Sequence, residues 1–122
     1  MLINYTGIPC EKWSDEKKRE ATWYGGTVDY KVAPIYPVAQ TDDIHKVAER
    51  DAKRIVTELR KSRDAEDAVL IGGVDPVLAV AMVGELRNSG VTCLSTVSKI
   101  EYIEDGQGNA HKFVRFVKFR EY

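Results

Sequence analysis

The sequence predicts an α/β domain built on a mostly parallel β-sheet. Three observations predict it. First, the β-branched and aliphatic run Val69-Leu70-Ile71 stops at Gly72-Gly73, and an apolar helix pattern then runs from Asp75-Pro76 to Leu86. Asp75 can accept hydrogen bonds from the first free N–H groups of that helix, and Pro76 fits its first position, where no N–H is needed. Buried strand, tight turn and helix in direct succession form the unit that builds parallel sheets. Second, Ile44, Val47, Ala48, Ala52, Ile55, Val56 and Leu59 mark one face of a long helix whose other face is charged. Third, strand-like and helix-like segments alternate up to Leu94. With right-handed crossovers, such a series gives a three-layer, Rossmann-like sandwich.

Each element follows in order. Leu2-Ile3-Asn4-Tyr5 is a first strand, ending in a loop from Thr6 to Trp13. Ser14 is a good N-cap, with Asp15 and Glu16 in the first turn where negative charge is favoured. That short helix ends near Tyr24, and Gly25-Gly26 stops it. Thr27 to Val32 alternates as a strand, and Pro34 and Pro37 bracket the next loop. After Thr41-Asp42 comes the long amphipathic helix, whose charges read as a solvated face. The Val69 strand and the helix from Pro76 to Asn88 follow, closed by Ser89-Gly90. Val91-Thr92-Cys93-Leu94 reads as a fourth strand. Ile100–Ile103 and Phe113–Phe119 then form a C-terminal β-hairpin around the turn Glu104 to Asn109.

Composition narrows the class of function. The 122 residues have the length of one domain, 1–122, with 43% hydrophobic and 30% charged residues, ordinary values for a globular protein. No apolar run approaches the ~20 residues of a membrane span, and Met1-Leu2-Ile3 enters a strand with no leader-like pattern, so neither membrane insertion nor secretion is expected. Two cysteines, Cys10 and Cys93, make no disulfide framework and fit the cytoplasm. A formal net charge of −1 argues against holding long nucleic acid by bulk electrostatics. A small anion needs only a local cluster of donors.

In open α/β sheets ligands sit beyond the carboxyl ends of the strands, where the strand order reverses. For this series that point is expected between the first and third strands. The loop from Thr6 to Trp13 would face the turn from Gly72 to Asp75 there, with Ser95-Thr96-Val97-Ser98-Lys99 as a third contributor. Thr6, Gly7, Cys10, Trp13, Gly72, Gly73, Asp75, Ser95, Thr96 and Ser98 are therefore the candidate ligand-binding residues. Hydroxyls, glycine N–H groups, one Trp and one Lys suit a phosphate or nucleotide better than an apolar ligand. Plainer roles stand beside these: Trp13 as a staple for the first helix, Asp75 as a cap, and the hydroxyls of Ser95, Thr96 and Ser98 as strand-end polarity.

Several chemistries are absent from the pattern. Neither G-x-x-x-x-G-K-[ST] nor G-x-G-x-x-G occurs. His45 and His111 lack neighbours at metal-ligand spacing, so no metal and no cofactor are expected. Cys93 lies in an apolar strand, and only Lys12 lies near Cys10 to activate it. The last strand, Lys112 to Arg120, interleaves basic and aromatic residues and matches the end of an RNA-recognition signature. The glycines of that signature and its order of elements are missing, and an edge strand guarded by charge is the better reading.

The very short first strand, the Thr6-Gly7-Ile8-Pro9 loop leading to Trp13, the apolar strand running into Gly72-Gly73-Val74-Asp75-Pro76 and the basic-aromatic final strand together resemble a family. The chain is similar to the small stand-alone CARF-like (CRISPR-associated Rossmann-fold) proteins of type III CRISPR systems, of the ring-nuclease type. The resemblance implies a homodimer or higher homo-oligomer that binds a cyclic oligoadenylate, cyclic tetra-adenylate first among them, across its two-fold axis. By position it implies that Thr6, Gly7, Gly72, Gly73, Asp75 and Ser95 line the pocket. Related small ring nucleases often carry a His in the loop after the first strand; Tyr5-Thr6-Gly7-Ile8-Pro9 has none. The expectation is therefore sequestration that damps antiviral signalling. The alternative is metal-independent cleavage of the ring, for which Lys12 and Lys99 are the weak catalytic candidates and the ribose 2′-hydroxyl would attack in line. A second alternative is a nucleotide- or sugar-phosphate-binding subunit unrelated to CRISPR.

Two further expectations concern particular residues. Val77 to Val83 is apolar on every side, so the outer face of that helix is expected to be covered by a second subunit, with Val80 and Met82 in the interface. Gly73 is expected to leave room for phosphate, so that Val there would block binding without unfolding the chain.

Overall fold

The structure is a computed structural model that describes residues 1–62 and 66–122. Five strands form one sheet: β1 (Leu2–Tyr5), β2 (Thr27–Asp29), β3 (Ala68–Ile71), β4 (Thr92–Glu104) and β5 (Ala110–Glu121). Among the described residues three α-helices accompany them: α1 (Asp15–Ala21), α2 (Thr41–Lys61) and α3 (Pro76–Asn88). The sheet order is β2-β1-β3-β4-β5, parallel throughout except for the antiparallel β4–β5 pair. The chain steps from β1 outward to β2, then crosses back over β1 to β3. The reversal of direction thus falls between β1 and β3, as the order of elements predicts.

The two faces of the sheet are filled separately because successive strand residues point opposite ways. Ile3, Tyr5, Val69, Ile71 and Cys93 pack against Ile44, Ala48, Ile55 and Leu59 of α2 and Leu78, Met82 and Leu86 of α3. Leu2, Ala68, Leu70 and Leu94 pack on the opposite face against Trp13 and Ala21. These are the three layers of the predicted sandwich. All residues of β1 and β3 are buried. Their near-continuous apolarity is what burial on both faces demands.

Caps set the helix ends. Ser14 accepts from the Lys17 N–H at the start of α1, and Asp75 accepts from the N–H groups of Val77 (2.9 Å) and Leu78 (3.2 Å) at the start of α3. Strand β2 is shorter than its alternation suggests. It stops at Asp29, and Tyr30 turns inward toward α2, so the Thr27–Val32 pattern covers both a strand and a return to the core.

The largest departure lies after Leu94. Ser95–Lys99 is not a loop: β4 runs unbroken from Thr92 to Glu104, paired with β5 from Leu94↔Glu121 to Glu104↔Ala110. No Gly, Pro, Asn or Asp interrupts it, and β5 supplies a full-length partner. One register shift, between Val97 and Ser98, is the only irregularity recorded in the pair. Since β3 reaches only Leu94 of β4, the two strands continue beyond the parallel sheet as a two-stranded arm. The pairs Ser98/Phe116, Ile100/Val114 and Tyr102/Lys112 share one face of that arm, and Lys99/Arg115, Glu101/Phe113 and Ile103/His111 share the other.

Helix α3 is covered on one flank by α2, an arrangement that accounts for part of its all-round apolarity. Met82 is fully buried in this intramolecular core, so it belongs to the fold and not to an outer face. Val77 and Val80 do face outward, Val80 with 75% of its surface exposed.

Candidate functional site

The loop after β1 and the turn after β3 meet at the reversal point. The Gly72 N–H donates to the Tyr5 carbonyl at 3.4 Å, and Gly73 adopts a φ of +62°. A Cβ on Gly73 would stand 3.2 Å from the Thr6 carbonyl oxygen. Glycine is therefore required here by turn geometry and by the neighbouring loop, not by space reserved for a ligand. This corrects the expectation for Gly73: a side chain there would strain the turn itself.

Beside this junction lies a cleft of about 270 Å³, lined by Thr6, Gly7, Gly73, Val74, Asp75 and Leu78 on one side and by Val32 to Ile35 on the other. The β1 loop is tied down from beneath. Asn4 donates from Nδ2 to the Ile8 carbonyl and to Asp29 Oδ1, both at 2.7 Å. Thr6 Oγ1 donates to Asn4 Oδ1 at 2.6 Å, and Asp29 Oδ1 also accepts from the Cys10 N–H at 3.0 Å. The Asn4 hydrogen bond holds the Asp29 carboxyl below its usual range. The Thr6 hydroxyl thus points into the loop's own scaffold.

The expected residues divide into two groups. Thr6, Gly7, Gly73 and Asp75 share the cleft, with Gly72 adjoining it through its bond to Tyr5. The remaining candidates do not line it. Cys10 lies in a 3-10 turn (Cys10–Lys12), and its thiol is pushed up by burial first and then by the charge of Asp29. Lys12 closes the same turn, exposed. Trp13 is buried on the α1 face, edge-on to Phe119, with the Lys17 ammonium 4.5 Å from its ring centre. Its indole N–H has no hydrogen-bond partner among the described residues. Ser95 donates to the Arg120 carbonyl within the β4–β5 pair, and Thr96 and Ser98 lie farther along the same strand. Lys99 is on the arm, 3.0 Å from Glu101.

The cleft has little acid–base chemistry of its own. Among the described residues Asp75 is the one ionisable side chain lining it, and its Oδ1 is engaged as the helix cap. Among the described residues no group of three His, Cys, Asp or Glu side chains could hold a metal ion, and no helix is long and apolar enough to cross a membrane.

A second cluster was absent from the sequence reading. Asp51, 1% exposed, accepts from the hydroxyls of Tyr5 (Oδ2, 2.7 Å) and Tyr30 (Oδ1, 2.8 Å) and from Arg50 Nε (Oδ1, 3.2 Å). The signal for it was present: position 51 lies on the same helical face as Ala48, Ala52 and Ile55, where a charged residue must be paired to be buried. No family model matches the chain, and no curated protein matches it.

Proposed function

We propose that this protein binds a cyclic oligoadenylate, with cyclic tetra-adenylate the first candidate, at the switch-point cleft of a cytoplasmic homodimer, and that it damps type III CRISPR signalling by sequestering that messenger. The observation that carries the reading is the cleft itself. The Thr6-Gly7 loop and the Gly73–Asp75 turn, two of the segments that carry the family resemblance, come together at the reversal between β1 and β3. Gly7 in its wall, where an added Cβ would meet nothing within 4 Å, lets backbone approach a phosphate closely.

Sequestration is favoured over cleavage. A ring nuclease needs a group that moves the 2′-hydroxyl proton or stabilises the leaving oxygen. The cleft offers one carboxylate, already committed to capping α3, while Lys12 and Lys99 stand outside it. The dimer reading draws on the outward Val77 and Val80, at the end of α3 nearest the cleft; a two-fold contact there would bring two clefts toward one axis, the arrangement a symmetric ring requires.

The test incubates the protein with radiolabelled cyclic tetra-adenylate and resolves complex and product side by side. A retarded complex with intact ligand is expected, and Ala33→Tyr, which fills the cleft from its far wall, should abolish it. Linear product formed without divalent metal would replace sequestration by the nuclease reading. Binding that survives Ala33→Tyr refutes the cleft as the site, and no complex at all refutes the ligand assignment in favour of a phosphate-binding subunit unrelated to CRISPR.

A further inference from the structure

Helix α2 reads in sequence as a solvated charged face, but its cations are not evenly spread. Lys31, Arg50, Lys53 and Arg54 converge with Tyr30, Thr57 and Glu58 around a groove of about 710 Å³ between α2 and the chain leaving β2. Four cationic side chains face one carboxylate, and Glu58 is itself paired with Lys61 at 3.3 Å. The groove adjoins the residues that follow the edge strand β2 and shares no lining residue with the switch-point cleft.

Its floor distinguishes it from a run of loose surface charge. The buried Asp51 carboxylate holds Arg50 through Nε, leaving that guanidinium's terminal nitrogens to other partners. The same carboxylate accepts a hydrogen bond from the Tyr30 hydroxyl at 2.8 Å, and Tyr30 lines the groove beside Arg54. Arg50 is thus held in place before any ligand arrives, which lowers the entropy lost when its planar guanidinium engages a phosphate in bidentate fashion. Lys31 and Lys53 add mobile point charges at the rim. Asp51 neutralises one cation, so positive charge remains in excess of what a single phosphate monoester carries.

The geometry points to a second ligand site: the α2 groove binds an oligophosphate, the di- or triphosphate group of a small molecule, with Arg50 as an ordered bidentate donor, Arg54 beside it, and Lys31 and Lys53 closing over the chain. The site stands independently of the reading of the switch-point cleft.

Calorimetric titration of the purified protein with inorganic tripolyphosphate, and separately with ATP, tests it. Saturable one-site binding is expected for tripolyphosphate, weakened at least tenfold in the double variant Lys31→Gln/Lys53→Gln. Neither lysine belongs to the Asp51 network, so thermal unfolding should match that of the parent. Equal affinity for ATP identifies the phosphate chain as the recognised part; tighter ATP binding that is lost in the same variant adds a nucleoside contact at the same site. Absence of saturable binding to either probe, or binding unchanged in the double variant, overturns the proposal. Ala33→Tyr should leave tripolyphosphate binding intact, so failure of one site is distinguishable from failure of the other.

Discussion

The Tyr5 hydroxyl donates to Asp51 at 2.7 Å inside the core, joining the interior strand β1 to the middle of α2. The bond makes a buried carboxylate tolerable, because Asp51 is satisfied by Tyr5, Tyr30 and Arg50 together. Tyr5→Phe keeps the ring and its contact with Tyr30 (5.3 Å between centres) but removes one donor to a buried charge. We expect it to cost about 2 kcal/mol. Urea denaturation should show a lower midpoint with an unchanged slope, and an unchanged midpoint would show that the bond contributes nothing.

Alkaline stability should report the same pair. Burial, then the Asp51 hydrogen bond, raises the Tyr5 phenol far above its ordinary value of 10.0. Tyr30 shifts the same way, from desolvation first. The folded state therefore holds these protons more tightly than the unfolded chain does. Their stabilisation is complete below pH ~10 and declines as pH climbs toward the folded values. Denaturation midpoints measured at rising pH should fall above this point. The decline should be shallower in Tyr5→Phe, and an identical slope in the variant would rule Tyr5 out as its source.

The two glycines of the β3 turn should respond differently. A Cβ on Gly72 meets nothing within 4 Å, whereas one on Gly73 needs a positive φ and crowds the Thr6 carbonyl. Gly72→Ala should change stability by less than about 0.5 kcal/mol, and Gly73→Ala should cost about 1–2 kcal/mol. Thermal melts of the two variants side by side decide the point. A Gly73→Ala melt that matches the parent would show the turn relaxes freely.

The two thiols should separate under a labelling reagent. Cys93 is 1% exposed and pushed up to about 11 by burial, while Cys10 is partly accessible in its 3-10 turn. One thiol per chain is expected to react in the native protein at neutral pH, and the second only in denaturant. Mass mapping that places the native label on Cys93 would contradict the packing of β4.

Charge on α3 distinguishes its two faces. Val80→Glu sits on the exposed side and should leave the monomer folded while dissociating the proposed dimer, as light scattering would show. Met82→Glu places a charge in the core and should unfold the chain, at a cost above about 4 kcal/mol. A parent protein that scatters as a monomer removes the interface.

Much of this architecture was legible in the residues. The β1, β3 and α3 boundaries, the Ser14 and Asp75 caps and the reversal between β1 and β3 follow from apolar period, capping chemistry and the order of elements, which act over a few neighbouring residues. The candidate site was legible in part. Thr6, Gly7, Gly73 and Asp75 could be placed together because strand order sends both loops to one end of the sheet. Ser95, Thr96 and Ser98 could not be placed, because whether a polar, β-branched stretch is loop or strand depends on a partner strand some twenty residues away in sequence. Only the tertiary structure paired Asp51 with Tyr5 and Tyr30, gathered Lys31 beside Arg50 and Arg54, and put Met82 inside and Val80 outside. Pattern records that a position is apolar or charged, but which neighbour satisfies it is set by packing between elements distant in the chain.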